Sequence, residues 1–254
     1  IGEIMHENVI SVNTLMDQEE VARQFQKYDF TAMPVVDNEN RLVGIITVDD
    51  IVDILQEEAT EDMEKMAAIT PSDKPYLRTG IFETWKNRIP WLLLLMLSAT
   101  FTGSIITSFE NALSGCVILS AYMPMLMGAG GNAGSQSSVA IIRSLSLNEL
   151  RFKDWFRVLW KESGVAILCG LTLAVANFAK LMVFDKVSLS IALVVSVSLA
   201  LTVLIAKIVG CMLPMLAKKI GFDPAVMASP FITTIVDALS LLIYFEIATR
   251  ALNI

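Results

Sequence analysis

Long apolar stretches fill residues 89–254, and they constrain the fold more than any other feature of the sequence. Each stretch has about the 20 apolar residues that a helix needs to cross a bilayer. Charged residues make up only 18% of the chain and apolar residues 54%, too few charges to cover the surface of a soluble protein. We therefore predict an α-helical polytopic membrane protein with five spans, at about 89–108, 116–143, 158–179, 188–217 and 225–250.

Charge divides the chain into two parts. Residues 1–84 hold eighteen Asp and Glu against six Lys and Arg, whereas residues 85–254 hold eight acidic and thirteen basic residues. The acidic part argues against a nucleic-acid partner, because phosphate binding needs clustered Lys and Arg. A surface that binds cations is the more natural use of this charge.

Basic residues between the spans predict the orientation in the membrane. The side that holds the acidic part carries nine Lys and Arg, and the opposite side carries three. Basic residues concentrate on the cytoplasmic side of membrane proteins. We therefore predict a multi-pass protein of the cell (plasma or inner) membrane, with the acidic part cytoplasmic and the C-terminus outside.

Residues 1–58 have the pattern of a small α/β domain. Two β-branched runs, at 33–37 and 41–51, are separated by a turn, and the second leads into a helix. The pattern P-V-V-D followed by G-I-I-T-V-D-D resembles a CBS domain, named after cystathionine β-synthase. CBS units work in pairs, so the resemblance implies a first unit in an N-terminal part that precedes this chain. Residues 59–88 would then connect this second unit to the membrane.

The predicted second span contains polar and flexible residues where Leu and Val are usual. Its segment YMPMLMGAGGNAGSQSS, residues 122–138, includes four glycines together with Asn132 and Gln136. Backbone freed from helical bonding is tolerated at this depth only against protein or a water-filled cavity. The segment favours an opened helix whose carbonyls line a pathway, as in transporters with broken helices. The alternative is a packing interface, because glycines also let helices approach closely.

Asp237 lies near the middle of the predicted fifth span. An ionised carboxylate at this depth is energetically expensive and usually marks an ion path. Thr233 and Ser229 precede it by four and eight residues, so the three form one polar stripe on an apolar helix. Oxygen ligands without His or Cys suit a hydrated Mg²⁺ or Ca²⁺. The alternative is a structural ion pair, with Lys207 in the fourth span as the partner.

Two segments, MPMLMGAGGNAGSQSSVAIIR and DPAVMASPFITTIVDALSLLIYF, together with the preceding CBS unit, closely resemble the MgtE family of magnesium transporters and channels. The resemblance implies a homodimer. The sequence has no nucleophile–base or metal–His arrangement, so we predict no enzymatic activity. Each chain would hold the second CBS unit, a plug helix region at 59–88 and a five-helix pore domain at 89–254. The family's pore aspartate falls on Asp237, and its two copies would face each other across the two-fold axis. The predicted pore lining comprises Gly130, Gly131, Asn132, Gly134, Ser229 and Thr233.

Acidic residues outside the spans resemble the Mg²⁺-sensing positions of this family. The resemblance implies that bound Mg²⁺ neutralises them, draws the plug region against the foot of the fifth span and closes the pore. A solvated acidic face is the alternative, since such faces are common on soluble domains. The predicted sensor residues are Asp17, Glu19, Asp50, Asp53, Glu58, Glu61, Asp62 and Asp223.

Paired CBS units often bind adenine nucleotides. Thr47 and Asp50, in the segment ITVDD, lie where the family's phosphate and ribose contacts lie, so the resemblance implies ATP as a second ligand. Asp50 belongs to both predicted sites, and the two roles cannot be assumed at once.

Two other functions fit parts of the sequence. A CBS-regulated carrier for an anion or an organic solute would need Arg or Lys near the glycine segment, where only Lys207 is available. In a non-transporting cation sensor, Asp237 and the glycine segment would have no function. The function that the sequence predicts is Mg²⁺ transport through a dimeric pore that cytoplasmic Mg²⁺ gates.

Overall fold

The structure, a computed structural model, describes nearly the whole chain. The described residues are 9–72, 74–227 and 229–253. Side chains are described for all of these except Asn111, Ala112 and Ser229. The chain divides into two compact units, residues 1–63 and 64–254.

The first unit contains a small mixed sheet with helices. Its elements are β1 (Val12–Asn13), α1 (Gln18–Tyr28), β2 (Ala32–Val36), β3 (Leu42–Thr47) and α2 (Val48–Met66), whose last turn continues into the second unit. β2 is the central strand, parallel to β1 and antiparallel to β3. The predicted α/β unit is therefore confirmed.

The core of this unit forms because α1 is amphipathic. Val21, Ala22 and Phe25 lie on one face of α1 and are buried, as expected for apolar residues at helical spacing. They pack with the buried Met33 of β2 and Ile51 of α2. The outer strand β3 differs, because four of its six residues are exposed in this chain.

The second unit is helical. Its long helices are joined by 3₁₀ turns at 76–78, 117–122, 152–154 and 224–227 and by a π turn at 181–185. The helices are α3 (Ile81–Ser108), α4 (Glu110–Gly115), α5 (Met123–Ser146), α6 (Trp155–Lys180), α7 (Leu189–Lys219) and α8 (Ser229–Leu252).

Four helical segments of the described chain are long and apolar enough to cross a membrane. They are Ile81–Ser108, Phe152–Asp185, Leu189–Lys219 and Pro224–Leu252. α5 has 24 residues, a length of about 36 Å that would also suffice, but its glycines, Asn132 and Gln136 make it less apolar than these four. The predicted membrane bundle is present, and the count of five spans stays a prediction.

α7 lies at the centre of the second unit, where it packs against α5, α6 and α8. Its buried residues include Val195, Leu199 and Val203, which join Ile232 and Phe245 of α8 in the main core. α3 packs mainly along α8, and the most apolar part of α3 is not buried in this chain. The helices α5, α7 and α8 therefore hold the polar residues of the two family-like segments at fixed positions.

Candidate ion pathway

Asp237 lies in the middle of α8, at the edge of the helix bundle. Its neighbours Val236 and Ser240 are buried against the bundle, whereas Asp237 itself is only half-buried. Within the described residues its carboxylate has no hydrogen-bond or ion-pair partner, so the predicted alternative of an ion pair with Lys207 is not formed. Such a carboxylate can accept a cation without first losing a protein partner.

The polar stripe of α8 is partly described. Thr233 lies one turn before Asp237 and is half-buried, and its hydroxyl donates to the Pro230 carbonyl at 2.9 Å. This bond uses the hydroxyl proton within the helix, so the lone pairs of the oxygen remain free for a cation or a water molecule. The side chain of Ser229, the third predicted member, lies outside the described residues.

The glycines of the second predicted span lie in an uninterrupted helix. α5 is helical from Met123 to Ser146, so the prediction of an opened helix is wrong. In an intact helix the backbone N–H and C=O groups bond one another, so none is left to line a pathway. The glycines instead let neighbouring helices approach closely. The packing interface, which was the alternative, is what the structure contains.

Each of three motif glycines lies against another helix, and at Gly130 and Gly134 an added Cβ atom would force a neighbouring group to move. A Cβ atom on Gly130 would come within 2.7 Å of Thr202 Cγ2 and 2.8 Å of Val236 Cγ1, and one on Gly134 within 2.9 Å of Ile232 Cγ2. A Cβ atom on Gly131 would lie 3.0 Å from Thr233 Cγ2. The last contact places the glycine segment directly against the polar stripe of α8.

The other face of α5 points away from the chain's own core. Pro124, Gly128, Asn132 and Gln136 recur every fourth residue, and all four are exposed. Among the described residues, neither the Asn132 nor the Gln136 amide has a hydrogen-bond partner. Amides facing lipid are costly, so this stripe, which we call the α5 polar stripe, needs water, an ion or a second protein chain beside it.

The predicted sensor residues are spread over the first unit and the foot of α8. Asp17 caps α1 by accepting the Glu19 backbone N–H at 3.0 Å, and Glu19 pairs with Arg23 at 3.2 Å. Glu58 accepts a hydrogen bond from Gln18 at 2.7 Å. In the described part of the chain, no group of three or more Asp, Glu, His or Cys side chains is placed to hold a metal ion.

The other predicted sensor residues lie along α2. Asp53 is exposed and Glu61 and Asp62 are half-buried. The two predicted nucleotide contacts are close together at the start of this helix, where the Thr47 hydroxyl donates to Asp50 Oδ2 at 3.1 Å. Asp50 Oδ2 also accepts from the Thr47 backbone N–H at 3.4 Å, so one carboxylate bonds both donors of Thr47.

Asp223, at the foot of α8, has a partner that the sequence reasoning missed. Lys65 Nζ donates to Asp223 Oδ2 at 2.7 Å. The next residue, Met66, packs against the buried Ile142 and Ala225. The last turn of α2, which belongs to the second unit, therefore contacts the foot of α8 through the Lys65 ammonium group.

A second missed feature lies inside the bundle. The Ser137 hydroxyl of α5 donates to Glu162 Oε2 of α6 at 2.6 Å, and Lys207 Nζ of α7 donates to the Ser137 oxygen at 3.3 Å. Lys207 could be singled out in the sequence as a charge in an apolar run, but nothing in the sequence pairs it with Ser137 and Glu162. Only the packing of three helices brings these groups together.

Comparison with known proteins agrees with this geometry. A family model described as MgtE, divalent cation transporter, matches residues 123–247. A CBS domain model matches residues 1–57. The first match covers all of α5 and most of α8, so both the glycine segment and Asp237 lie in it.

Curated relatives match over nearly the whole chain. Proteins named magnesium transporter MgtE are 46% identical over 253 residues in Thermus thermophilus, 42% over 257 in Bacillus subtilis and 35% over 252 in Enterococcus faecalis. These matches cover 98–100% of this chain and 54–56% of the relatives. The chain belongs to the MgtE family.

Family membership confirms the predicted fold class. The chain is an α-helical multi-pass membrane protein with a small N-terminal CBS domain, and the MgtE family is one of transporters rather than enzymes. The chain spans about half the length of the curated relatives it matches.

Proposed function

We propose that this chain forms the ion pathway of a magnesium transporter. The observation that carries the proposal is the Asp237 carboxylate, which lies in the middle of a membrane helix without a protein partner. An unpartnered charge at this depth in a membrane is expensive to keep, and a passing cation would balance it. The names of the relatives, magnesium transporter MgtE, support Mg²⁺ as that cation.

The chemistry of the groups around Asp237 favours a hard, hydrated cation. Asp237 offers carboxylate oxygens, and Thr233 one turn away offers a hydroxyl oxygen. Mg²⁺ keeps most of its water and is held through one or two carboxylates. A site of this kind binds the ion through its hydration shell and releases it more easily than a complete protein cage would.

A homodimer would complete the pathway. The α5 polar stripe and the half-buried edge of α8 are both open in a single chain, and Gly131 contacts Thr233 between them. A second copy related by a two-fold axis would bring two Asp237 carboxylates together. Two facing carboxylates attract a divalent cation more strongly than K⁺ or Na⁺. The predicted lining residues Asn132 and Thr233 would then face the ion and its water.

We further propose that cytoplasmic Mg²⁺ closes this pathway. With no group of three acidic ligands in the described residues, the acidic side chains of the CBS domain would bind hydrated ions through one or two carboxylates each. Neutralisation would reduce their repulsion. The contact of Lys65 with Asp223 would hold the connecting region against the foot of α8 when the pathway closes. The same scheme makes the CBS domain cytoplasmic and places the C-terminus outside.

ATP is a second ligand to test on the CBS domain. Thr47 and Asp50 lie close together at the exposed start of α2, where a hydroxyl and a carboxylate could contact phosphate and ribose. Both groups would have to exchange their mutual hydrogen bond for bonds to the nucleotide. Isothermal titration with ATP, on the wild type and on Thr47→Ala, tests this site. Equal heats for the two proteins would exclude it.

Uptake into proteoliposomes tests the main proposal. The intact protein is reconstituted with a Mg²⁺-sensitive dye inside the vesicles, and we expect uptake from the wild type and none from Asp237→Ala. Glu246→Ala is the matched control, because Glu246 is an exposed acid on the same helix with Arg250 as its partner. Normal uptake by Asp237→Ala would refute the pathway.

The gate is tested separately, by proteolysis. Protection of the CBS domain should increase in millimolar Mg²⁺ as its acidic side chains are neutralised. An unchanged digestion pattern would reject the gate and leave the pathway intact. Protection without any wild-type uptake would instead identify a non-transporting cation sensor.

A further inference from the structure

Three polar side chains from three helices meet inside the membrane unit. Ser137 of α5 and Lys207 of α7 are 2% and 5% exposed, and Glu162 of α6 is half-buried. The Ser137 hydroxyl donates its only proton to Glu162 at 2.6 Å and accepts a hydrogen bond from Lys207 at 3.3 Å. The serine oxygen therefore connects a positive and a negative side chain, and we call these residues the charge-balanced cluster.

Packing alone does not explain this cluster. Lys207 lies in a 31-residue helix of high mean hydropathy, between the buried residues Ala206 and Gly210. Replacing a buried ion pair with apolar residues of similar size is often neutral or stabilising. Charges that persist at such depth generally serve a function. In the described residues neither Lys207 nor Glu162 is bonded to Asp237, the unpartnered carboxylate of α8.

The cluster lies next to the proposed pathway. Ser137 follows Gly134 by three residues, about one turn or 5 Å along α5. A Cβ atom on Gly134 would contact Ile232 and Val236 of α8 as well as the carbonyl of Ala206, which precedes Lys207. Val236 in turn precedes Asp237. The charges of the cluster therefore lie close enough to Asp237 to change the electrostatic potential that a cation meets there.

We propose that the charge-balanced cluster sets the cation affinity of the pathway, with Lys207 lowering it and Glu162 raising it. This inference rests on the proposed transport function. A pore must bind its ion strongly enough to admit it and weakly enough to release it. In the wild type the two charges nearly cancel, so Asp237 alone determines binding. Loss of one charge leaves the other uncompensated. The sign of the remaining charge then predicts whether the cation affinity rises or falls.

Opposite shifts in two single variants test the proposal. In Lys207→Met, the remaining Glu162 should lower the apparent KM for Mg²⁺ uptake and, because release slows, also lower the maximal rate. In Glu162→Gln, the remaining Lys207 should raise the KM. A unit charge roughly 10 Å away, at an effective dielectric constant of about 20, changes the affinity for a doubly charged cation by about two orders of magnitude. The double variant Lys207→Met with Glu162→Gln should return the KM to within about twofold of the wild type.

Two further variants separate electrostatics from structure. Ser137→Ala removes the bridging hydroxyl but keeps both charges, so thermal stability should fall while the KM changes less than in either single charge variant. Lys161→Met removes an exposed lysine adjacent to Glu162 and should leave the KM unchanged. Each protein is first checked by size-exclusion chromatography, and the KM is measured only on the folded fraction.

The outcomes distinguish this inference from the proposed function. Absence of wild-type Mg²⁺ uptake would overturn the transport function and this inference with it. Normal wild-type uptake, with a KM that moves in the same direction in both single variants, would overturn the inference alone. So would a double variant whose KM is further from the wild-type value than that of either single variant, because the two charges would then not act in opposite directions.

Discussion

Asp237 and Lys207 are both charges in apolar helices of the same bundle, but the protein treats them differently. Lys207 is 5% exposed and donates to Ser137, which donates to Glu162. Asp237 is half-buried and has no partner among the described residues. One charge is thus balanced within the chain, whereas the other is left for something outside it.

This contrast separates two uses of an expensive charge. A buried charge with a partner is compensated at all times, so its removal leaves the partner uncompensated and destabilises the fold. A charge without a partner destabilises the fold for as long as no ligand is bound. Removal of the charge at Asp237 should therefore raise stability but abolish transport. Removal of the charge at Lys207 should lower both stability and the maximal rate of transport.

The largest expected effect is at Asp237. Asp237→Asn keeps the shape of the side chain and removes its charge, so Mg²⁺ uptake should fall below detection. The melting temperature in Mg²⁺-free buffer should rise by a few degrees, because about 1 kcal/mol of unfavourable desolvation is removed. Uptake assays and thermal denaturation measure the two quantities. Asp237→Glu, which keeps the charge, is the control, and loss of stability in Asp237→Asn would show that the carboxylate has a structural partner.

The next largest effect is on stability at Lys207. Lys207→Met should destabilise the folded protein by about 2 kcal/mol, less than for a fully buried pair because Glu162 is partly exposed. Adding Glu162→Gln should restore part of this loss, since no uncompensated charge remains. Denaturant or thermal unfolding in detergent measures both. If Lys207→Met were as stable as the wild type, the contrast with Asp237 would disappear.

A smaller effect is expected from the glycine contact beside the cluster. A Cβ atom on Gly210 of α7 would overlap the Gly134 carbonyl oxygen of α5, so Gly210→Ala must separate the two helices. We expect a loss of about 1–3 kcal/mol from overpacking, together with a longer Lys207–Ser137 bond. Gly103→Ala in α3 is the matched control, because nothing lies within 4 Å of a Cβ atom there. Equal stability of the two variants would mean that α5 and α7 can part freely.

The sequence predicts the elements of this molecule better than their contacts. Apolar stretches of sufficient length locate the helices, and the predicted span 188–217 differs from α7, Leu189–Lys219, by two residues at most. Asp237 could be singled out because a lone acid in an apolar helix is conspicuous. The sequence could not predict that its carboxylate has no partner among the described residues, because this depends on how the surrounding helices pack.

The glycine segment shows where sequence reasoning failed. Glycine both weakens a helix and lets another helix approach, so one sequence fits an opened helix and a packed one. Only the positions of Thr202 and Val236 decide between them in α5. The same limit applies to Glu162 and Lys65, whose partners are distant in sequence and close only in the fold.

Asp223 provides the smallest expected effect and an intermediate case between Asp237 and Lys207. Its ion pair with Lys65 has side chains 25% and 35% exposed, and pairs of that kind contribute about 0.2–1 kcal/mol. Lys65→Met should therefore raise the Mg²⁺ concentration that half-closes the pathway by no more than about fivefold, since the connecting region loses one contact with α8. Patch recordings of the reconstituted protein over a range of cytoplasmic Mg²⁺ measure this shift, with Lys74→Met, which removes an exposed pair with Glu83, as the control. A variant that closes at lower Mg²⁺ than the wild type would mean that Lys65 competes with the ion for Asp223 instead of assisting closure.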